Sequence, residues 1–258
     1  MPDSGFLFFA WWLPLGAVLG LMGAGAALSW GIRSAERFPG ESRWPTCMFC
    51  LKPLRIRDLL PLVGWAFRPG GPRALSCPCG LRRGLWRRPV AEGVGALLGF
   101  MAACALGGEP SWVMIPLAFG LGILPGITLV DLTFGVIPDE LNLALGLAGL
   151  ATLIGTGEVF TGLITSAGLL ALGLILALVY SEWRGREMLG LGDVKFFAAA
   201  GLWLPMEFAP WFLGLAGVVG MIFGILWKRR GGGHEFPFAP ALCVALAVCV
   251  LARFVLVM

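Results

Sequence analysis

Two aspartates carry the most chemistry in this chain. Asp193 sits in the run Gly190-Leu191-Gly192-Asp193-Val194-Lys195-Phe196 at the edge of one apolar stretch, and Asp131 closes another apolar stretch far upstream. An ionisable residue at membrane depth is costly to desolvate, so it reads first as functional. A pair of carboxyls suits aspartyl proteolysis: the ionised one takes a proton from water, while the protonated one hydrogen-bonds the scissile carbonyl and later protonates the leaving amine. Like-charge repulsion separates the two apparent pKa values, so one pair supplies both acid and base. Gly190 and Gly192 remove side chains beside Asp193 and permit close approach of a substrate backbone or a neighbouring helix. Lys195 reads as a lysine snorkelling to the membrane interface, or as a partner for an acid or a phosphate. No His-Glu-x-x-His, Gly-x-Ser-x-Gly or Walker A pattern is present, which disfavours a zinc protease, a serine hydrolase and an ATP-driven pump.

These residues need elements to hold them, and the composition says which kind. With 58% hydrophobic and 13% charged residues over 258 positions, the chain is too apolar for a soluble domain and reads as an all-α polytopic membrane protein. A crossing needs about 20 apolar residues, and eight candidate spans lie near 5–32, 89–107, 111–130, 139–156, 159–180, 192–206, 208–227 and 236–257. The first lacks a basic leader and has too long an apolar region for a cleaved signal, so it reads as a true helix. Pro138 suits the first turn of a helix, which makes 132–138 a turn and puts Asp139 and Glu140 where acids complement the helix dipole. Eight crossings place Asp131 and Asp193 at the same membrane face. That face also collects 18 of the 19 Lys and Arg, leaving only Arg253 over, and the positive-inside rule makes it cytoplasmic.

Twelve of those basic residues fall in 33–88 with three acids, giving this segment formally +9 against +4 for the whole chain. The charge reads as topology and attraction to anionic lipid, or as a groove for a partner, with no nucleic acid expected. Its prolines and glycines break it into short pieces, so three units are expected: a first helix over 1–32, a basic cytoplasmic insert over 33–88 and a membrane core over 89–258. Cys47, Cys50, Cys77 and Cys79 lie in the insert. Four thiolates suit a tetrahedral structural Zn²⁺, although the second pair is Cys-x-Cys and turns more tightly than a zinc ribbon; free or redox-active thiols are the alternative. Cys104, Cys243 and Cys249 fall in apolar spans and read as small hydrophobes.

With these residues assembled, the chain resembles the type IV prepilin peptidases, a Gly-x-Gly-Asp class of aspartyl proteases. Asp131 with Ile137-Pro138-Asp139-Glu140-Leu141 is similar to the segment around the family's first catalytic Asp, and Glu187-Met188-Leu189-Gly190-Leu191-Gly192-Asp193-Val194-Lys195 to that around the second. Arg88-Pro89-Val90-Ala91-Glu92 and Phe236-Pro237-Phe238-Ala239-Pro240 resemble two further family motifs. The resemblance implies cleavage of a basic leader from type IV prepilins or type II pseudopilins by Asp131 and Asp193 at the cytoplasmic surface. It also implies methylation of the new N-terminus from S-adenosylmethionine in many members, with no cofactor needed for proteolysis. Asp139, Glu140 or Glu187 would receive the basic leader. Two departures, Gly23-Ala24-Gly25-Ala26-Ala27-Leu28 in place of a Gly-Ser-Phe-Leu run and Ser76 displacing the second cysteine spacing, bear on methylation and zinc and leave the aspartates untouched. The competing readings are a non-catalytic pilin-assembly factor acting through the basic loop and a small-solute or metal transporter.

Overall fold

The structure, a computed structural model, describes residues 4–35, 87–106, 112–184, 190–231 and 236–257, and all regular structure among them is helical. The helices are α1 (Ser4–Ala35), α2 (Arg87–Ala105), α3 (Met114–Phe134), α4 (Asp139–Thr156), α5 (Val159–Arg184), α6 (Leu191–Gly201), α7 (Ala209–Arg229) and α8 (Ala239–Val257), with a 3₁₀ turn at Met206–Phe208. Most of the basic insert, with Cys47, Cys50, Cys77 and Cys79, lies outside the described residues, as do Glu187 and His234.

Five helices are long and apolar enough to cross a membrane, with windows at Trp11–Leu28, Met114–Phe134, Val159–Val179, Met206–Arg229 and Ala239–Leu256, and α2 adds a shorter apolar stretch at Pro89–Ala105. The protein is a multi-pass helical membrane protein. Among the described residues the helix of the sixth expected span is shorter than the sequence suggests. Where the sequence suggests 192–206, α6 covers 11 residues, about 16 Å of rise. It stops because Leu202-Trp203-Leu204 turn and Pro205 follows, and the 3₁₀ turn carries the chain into α7.

Packing sorts the helices into a centre and a periphery. In α3 and α8, 67% and 61% of the membrane window is buried, against 22% in α5 and 17% in α7. An apolar face turned to lipid needs no protein partner, so exposed Leu163, Ile175, Met221 and Ile225 are ordinary there. Cys104 is exposed on α2, whereas Cys243 and Cys249 are buried in α8. The tightest approach joins α1, α2 and α3. A Cβ at Gly20 would collide with the Gly95 carbonyl and one at Gly122 with the Gly20 carbonyl, so the backbones themselves touch. Dispersion and Cα–H contacts between small residues drive such association in lipid, where the hydrophobic effect is absent.

One end of the bundle is clamped by polar groups. Arg253, the basic residue left over in the sequence, is 4% exposed and donates to Glu158 Oε2 at 2.6 Å and to the Trp203 carbonyl at 2.7 Å. The Trp203 indole fills a slot over Gly120 of α3 and Gly149 of α4, and its Nε1–H donates to the Leu145 carbonyl at 3.1 Å. A side chain at either glycine would occupy the space of the ring. One arginine and one tryptophan thus tie α3, α4, the α4–α5 turn, the α6 terminus and α8 together.

Candidate active site

The opposite end gathers the aspartates. There α3 runs one turn past Asp131, to Phe134, so the acid lies within the last turn rather than at the helix end that the sequence suggests. Gly135 stops the helix in a left-handed conformation (φ 69°), its N–H closing on the Asp131 carbonyl at 2.8 Å. The connection is therefore 135–138, shorter than expected, and Pro138 is the N-cap of α4, not a residue of its first turn. Asp139 and Glu140 do occupy that first turn.

Asp131 is 6% exposed, and its Oδ2 accepts the Ala239 N–H at 3.0 Å. Ala239 opens α8, so this is one of the donors a helix N-terminus leaves without an internal partner, and the carboxylate meets the positive end of the α8 dipole. The segment Phe236–Phe238 delivers that helix end, with the Phe238 ring over Gly220 of α7.

Asp193 lies in the first turn of α6. Its N–H donates to the Gly190 carbonyl at 3.0 Å, and its carboxylate folds back over Gly190, where a Cβ would stand 3.5 Å from Oδ2. Gly192 sits on the backbone of the 135–138 connection: a Cβ there would be 3.2 Å from the Ile137 Cβ and 3.3 Å from its carbonyl oxygen. The close approach that the two glycines allow is thus, at Gly192, to a neighbouring segment of the same chain. Asn142, one turn into α4 and 5% exposed, donates from Nδ2 to the Gly192 carbonyl at 3.1 Å. These contacts seat the turn before Asp193 against the connection after Asp131, and the two carboxyls are close enough to act on each other as like charges.

Lys195 is not a lone snorkelling lysine. Its Nζ sits 2.7 Å from both carboxylate oxygens of Asp139, an exposed pair joining the first turns of α4 and α6. Cys243 on α8 has the Thr128 hydroxyl of α3 as a side-chain partner. Glu92, 1% exposed on α2, is a further buried acid with interactions of its own. No cluster of three metal-binding side chains occurs among the described residues.

Sequence reasoning missed Asn142, Thr128 and Cys243. An Asn three residues after Asp139, on an otherwise apolar stretch of helix, was a usable signal. Cys243 offered none, because its position opposite Thr128 depends on how α8 packs against α3. Chemically, two interacting carboxyls held from separate helices, one on a helix N-terminus and one on a glycine turn, can share a proton and activate water.

A family model described as the type IV leader peptidase family matches residues 118–225, a stretch containing both aspartates. The chain is similar to the prepilin leader peptidase/N-methyltransferase of Aeromonas salmonicida (strain A449), 31% identical over 80% of this chain and 70% of the relative. It is likewise similar to the prepilin leader peptidase/N-methyltransferase of Dickeya chrysanthemi, 32% identical over 72% of this chain and 65% of that protein. The type 4 prepilin-like proteins leader peptide-processing enzyme of Escherichia coli O78:H11 is 28% identical over 76% of this chain and 71% of its own. No solved structure matches the chain.

Proposed function

This chain belongs to the type IV leader peptidase family, and from that premise we propose that it is a membrane aspartyl endopeptidase that removes the leader of type IV prepilins or type II pseudopilins. The observation that carries the reading is the meeting of Asp131 and Asp193 from two separate helices at one end of the bundle. In the reaction, one ionised carboxylate takes a proton from water as its oxygen attacks the scissile carbonyl, and the other carboxyl gives a hydrogen bond and then a proton to the carbonyl oxygen. Collapse of the tetrahedral diol breaks the C–N bond. The departing nitrogen takes a proton from the first carboxyl while a diol hydroxyl returns its proton to the second as C=O re-forms, leaving an amine and a new carboxyl terminus, and the pair again holds one proton.

The positive-inside distribution supports a bacterial inner-membrane location with this end facing the cytoplasm. The exposed Asp139, with Glu140 next to it and Glu187 six residues before Asp193 in sequence, offers negative charge for a basic leader. Methylation of the new N-terminus is the second activity in the proposal, with S-adenosylmethionine as the methyl source. Cys47, Cys50, Cys77 and Cys79 form a donor set of soft thiolates suited to zinc. All four lie outside the described residues, and the proteolytic proposal depends on none of them.

The test is the intact mass of a prepilin incubated with purified enzyme and S-adenosylmethionine, beside an Asp193→Asn control. Loss of the leader with the unsubstituted enzyme alone supports the peptidase, and one added methyl on the product supports transfer. If a known peptidase cleaves the same substrate while this protein does not, the assembly-factor reading replaces it.

A further inference from the structure

Asn142 stands apart from the other polar groups at the aspartate end. It is 5% exposed, and only half of its amide is used: Nδ2 donates to the Gly192 carbonyl at 3.1 Å, while Oδ1 is buried with no hydrogen-bond partner among the described residues. The Gly192 carbonyl fixes the orientation of the amide, since the nitrogen must face it. An unmet buried acceptor lowers stability. The Gly192 carbonyl, in the first turn of α6, is placed to serve as an acceptor within that helix, so the fold does not depend on Asn142 to satisfy it. Burial and an unmet acceptor together make this a poor choice for stability, which points to another reason for the residue.

That reason lies in what the Gly192 carbonyl does. It belongs to the peptide plane linking Gly192 to Asp193, and the orientation of that plane sets the direction of the Asp193 Cα–Cβ bond. Within its own turn that plane is held by the Asp193 N–H, which belongs to it and donates to the Gly190 carbonyl, and Gly192 packs on Ile137; the Asn142 amide is the side-chain hydrogen bond that ties the plane to a different helix, α4. We infer that Asn142 is a positioning residue: its amide, reaching from α4, holds the Gly192–Asp193 peptide plane and thereby aims the Asp193 carboxyl at Asp131. The link joins α4, which follows the Asp131 segment, to α6, which carries Asp193, so any relative motion of α4 and α6 would be read at Asp193. This inference rests on the proteolytic reading above.

The experiment measures kcat and KM for cleavage of a prepilin by the full-length enzyme in detergent, with Asn142→Leu, close to Asn in size and without the donor, beside the unsubstituted protein. Thermal unfolding of the same samples is followed in parallel. A misaimed carboxyl costs turnover and not binding, so kcat should fall by about 30-fold with KM within about twofold and with an unfolding midpoint equal to or above that of the parent. Asn142→Ala, which fits wherever Leu does not, should show the same split between kcat and KM. An unchanged kcat in both variants overturns the inference, and so does a loss of kcat matched in both by a lower unfolding midpoint, because that is the mark of a structural role. If the unsubstituted enzyme leaves the prepilin whole, the proteolytic reading fails and takes this inference with it.

Discussion

The two ends of the bundle are built on opposite principles. At the Arg253 end, a buried cation meets a carboxylate and a carbonyl, a tryptophan fills a slot between glycines, and the indole N–H has its acceptor. At the aspartate end, two carboxyls interact, an amide oxygen has no partner among the described residues, and the ion pair spanning the helices is open to solvent. Satisfied polar networks rigidify and unsatisfied ones cost stability. The difference teaches where stability is made and where it is given up: the clamped end holds α3, α4, α6 and α8 in register so that the other end can keep groups whose arrangement is unfavourable for folding and useful for chemistry.

The largest effect that would sharpen this contrast is loss of either carboxyl. Asp131→Asn and Asp193→Asn should each lower cleavage of a prepilin by about 10²–10⁴-fold, the range that positioned acid–base groups supply. Insertion and unfolding temperature should be unchanged or improved, because removing one of two interacting buried carboxyls relieves the site. Discontinuous cleavage assays with matched unfolding curves check both halves. A variant that cleaves at the parental rate breaks the pairing of the aspartates.

The mirror-image experiment is at the other end. Arg253→Met strands the Glu158 carboxylate and the Trp203 carbonyl and should cost about 3–5 kcal/mol, the usual loss when one partner of a buried ion pair is removed. The Glu158 side chain is 40% exposed, so screening brings the expectation to the lower part of that range. Chemical unfolding in mixed micelles reads the loss. Adding Glu158→Gln to Arg253→Met should recover part of it, and a double variant no more stable than the single one would show that the clamp works through the Trp203 carbonyl instead.

Gly192→Ala comes next. Its Cβ would stand 3.2 Å from that of Ile137 and 3.3 Å from the Ile137 carbonyl, so the connection must yield by a few tenths of an ångström at the place that seats Asp193. A displacement that small should reduce kcat by about tenfold, as misplacement by 1 Å costs about 10²-fold. Gly190→Ala meets only Asp193 Oδ2, at ordinary contact distance, and should cost less. Reversal of that order in a kinetic assay would mean that the turn is seated elsewhere.

Much of the fold and the pairing of the aspartates is legible in the sequence, and the parts that are not share a cause. Apolar length alone gave the helical, multi-pass class, and the parity of the spans put Asp131 and Asp193 at one end because α3 closes and α6 opens there. The first-turn acids of α4 followed from Pro138, although the helix begins one residue later than the proline rule suggested. Apolar composition does not mark where a helix gives way to a turn, so α6 was drawn too long. Arg253 looked like a residue out of place because its partner, Glu158, is 95 positions away in sequence. Thr128 and Cys243 were hidden for the same reason, and Asn142, though visible as a polar residue on an apolar stretch, also matters through a neighbour that only packing supplies.

The smallest expected effect tests whether the aspartate end is as loosely held as it looks. The Lys195–Asp139 pair has good geometry, but its side chains are 49% and 68% exposed. Exposed pairs contribute about 0.2–1 kcal/mol, so Lys195→Met should lower stability by no more than that, and the loss should shrink further when salt is raised. Its effect on turnover should be separable from its effect on binding: freeing Asp139 leaves a carboxylate beside the path of a basic leader, so KM should fall by about twofold, the scale of a surface charge contact, while kcat holds. Asp139→Asn should move KM the other way. If Lys195→Met instead lowers stability by as much as Arg253→Met, the two ends are equally fastened, and the division of labour between them is wrong.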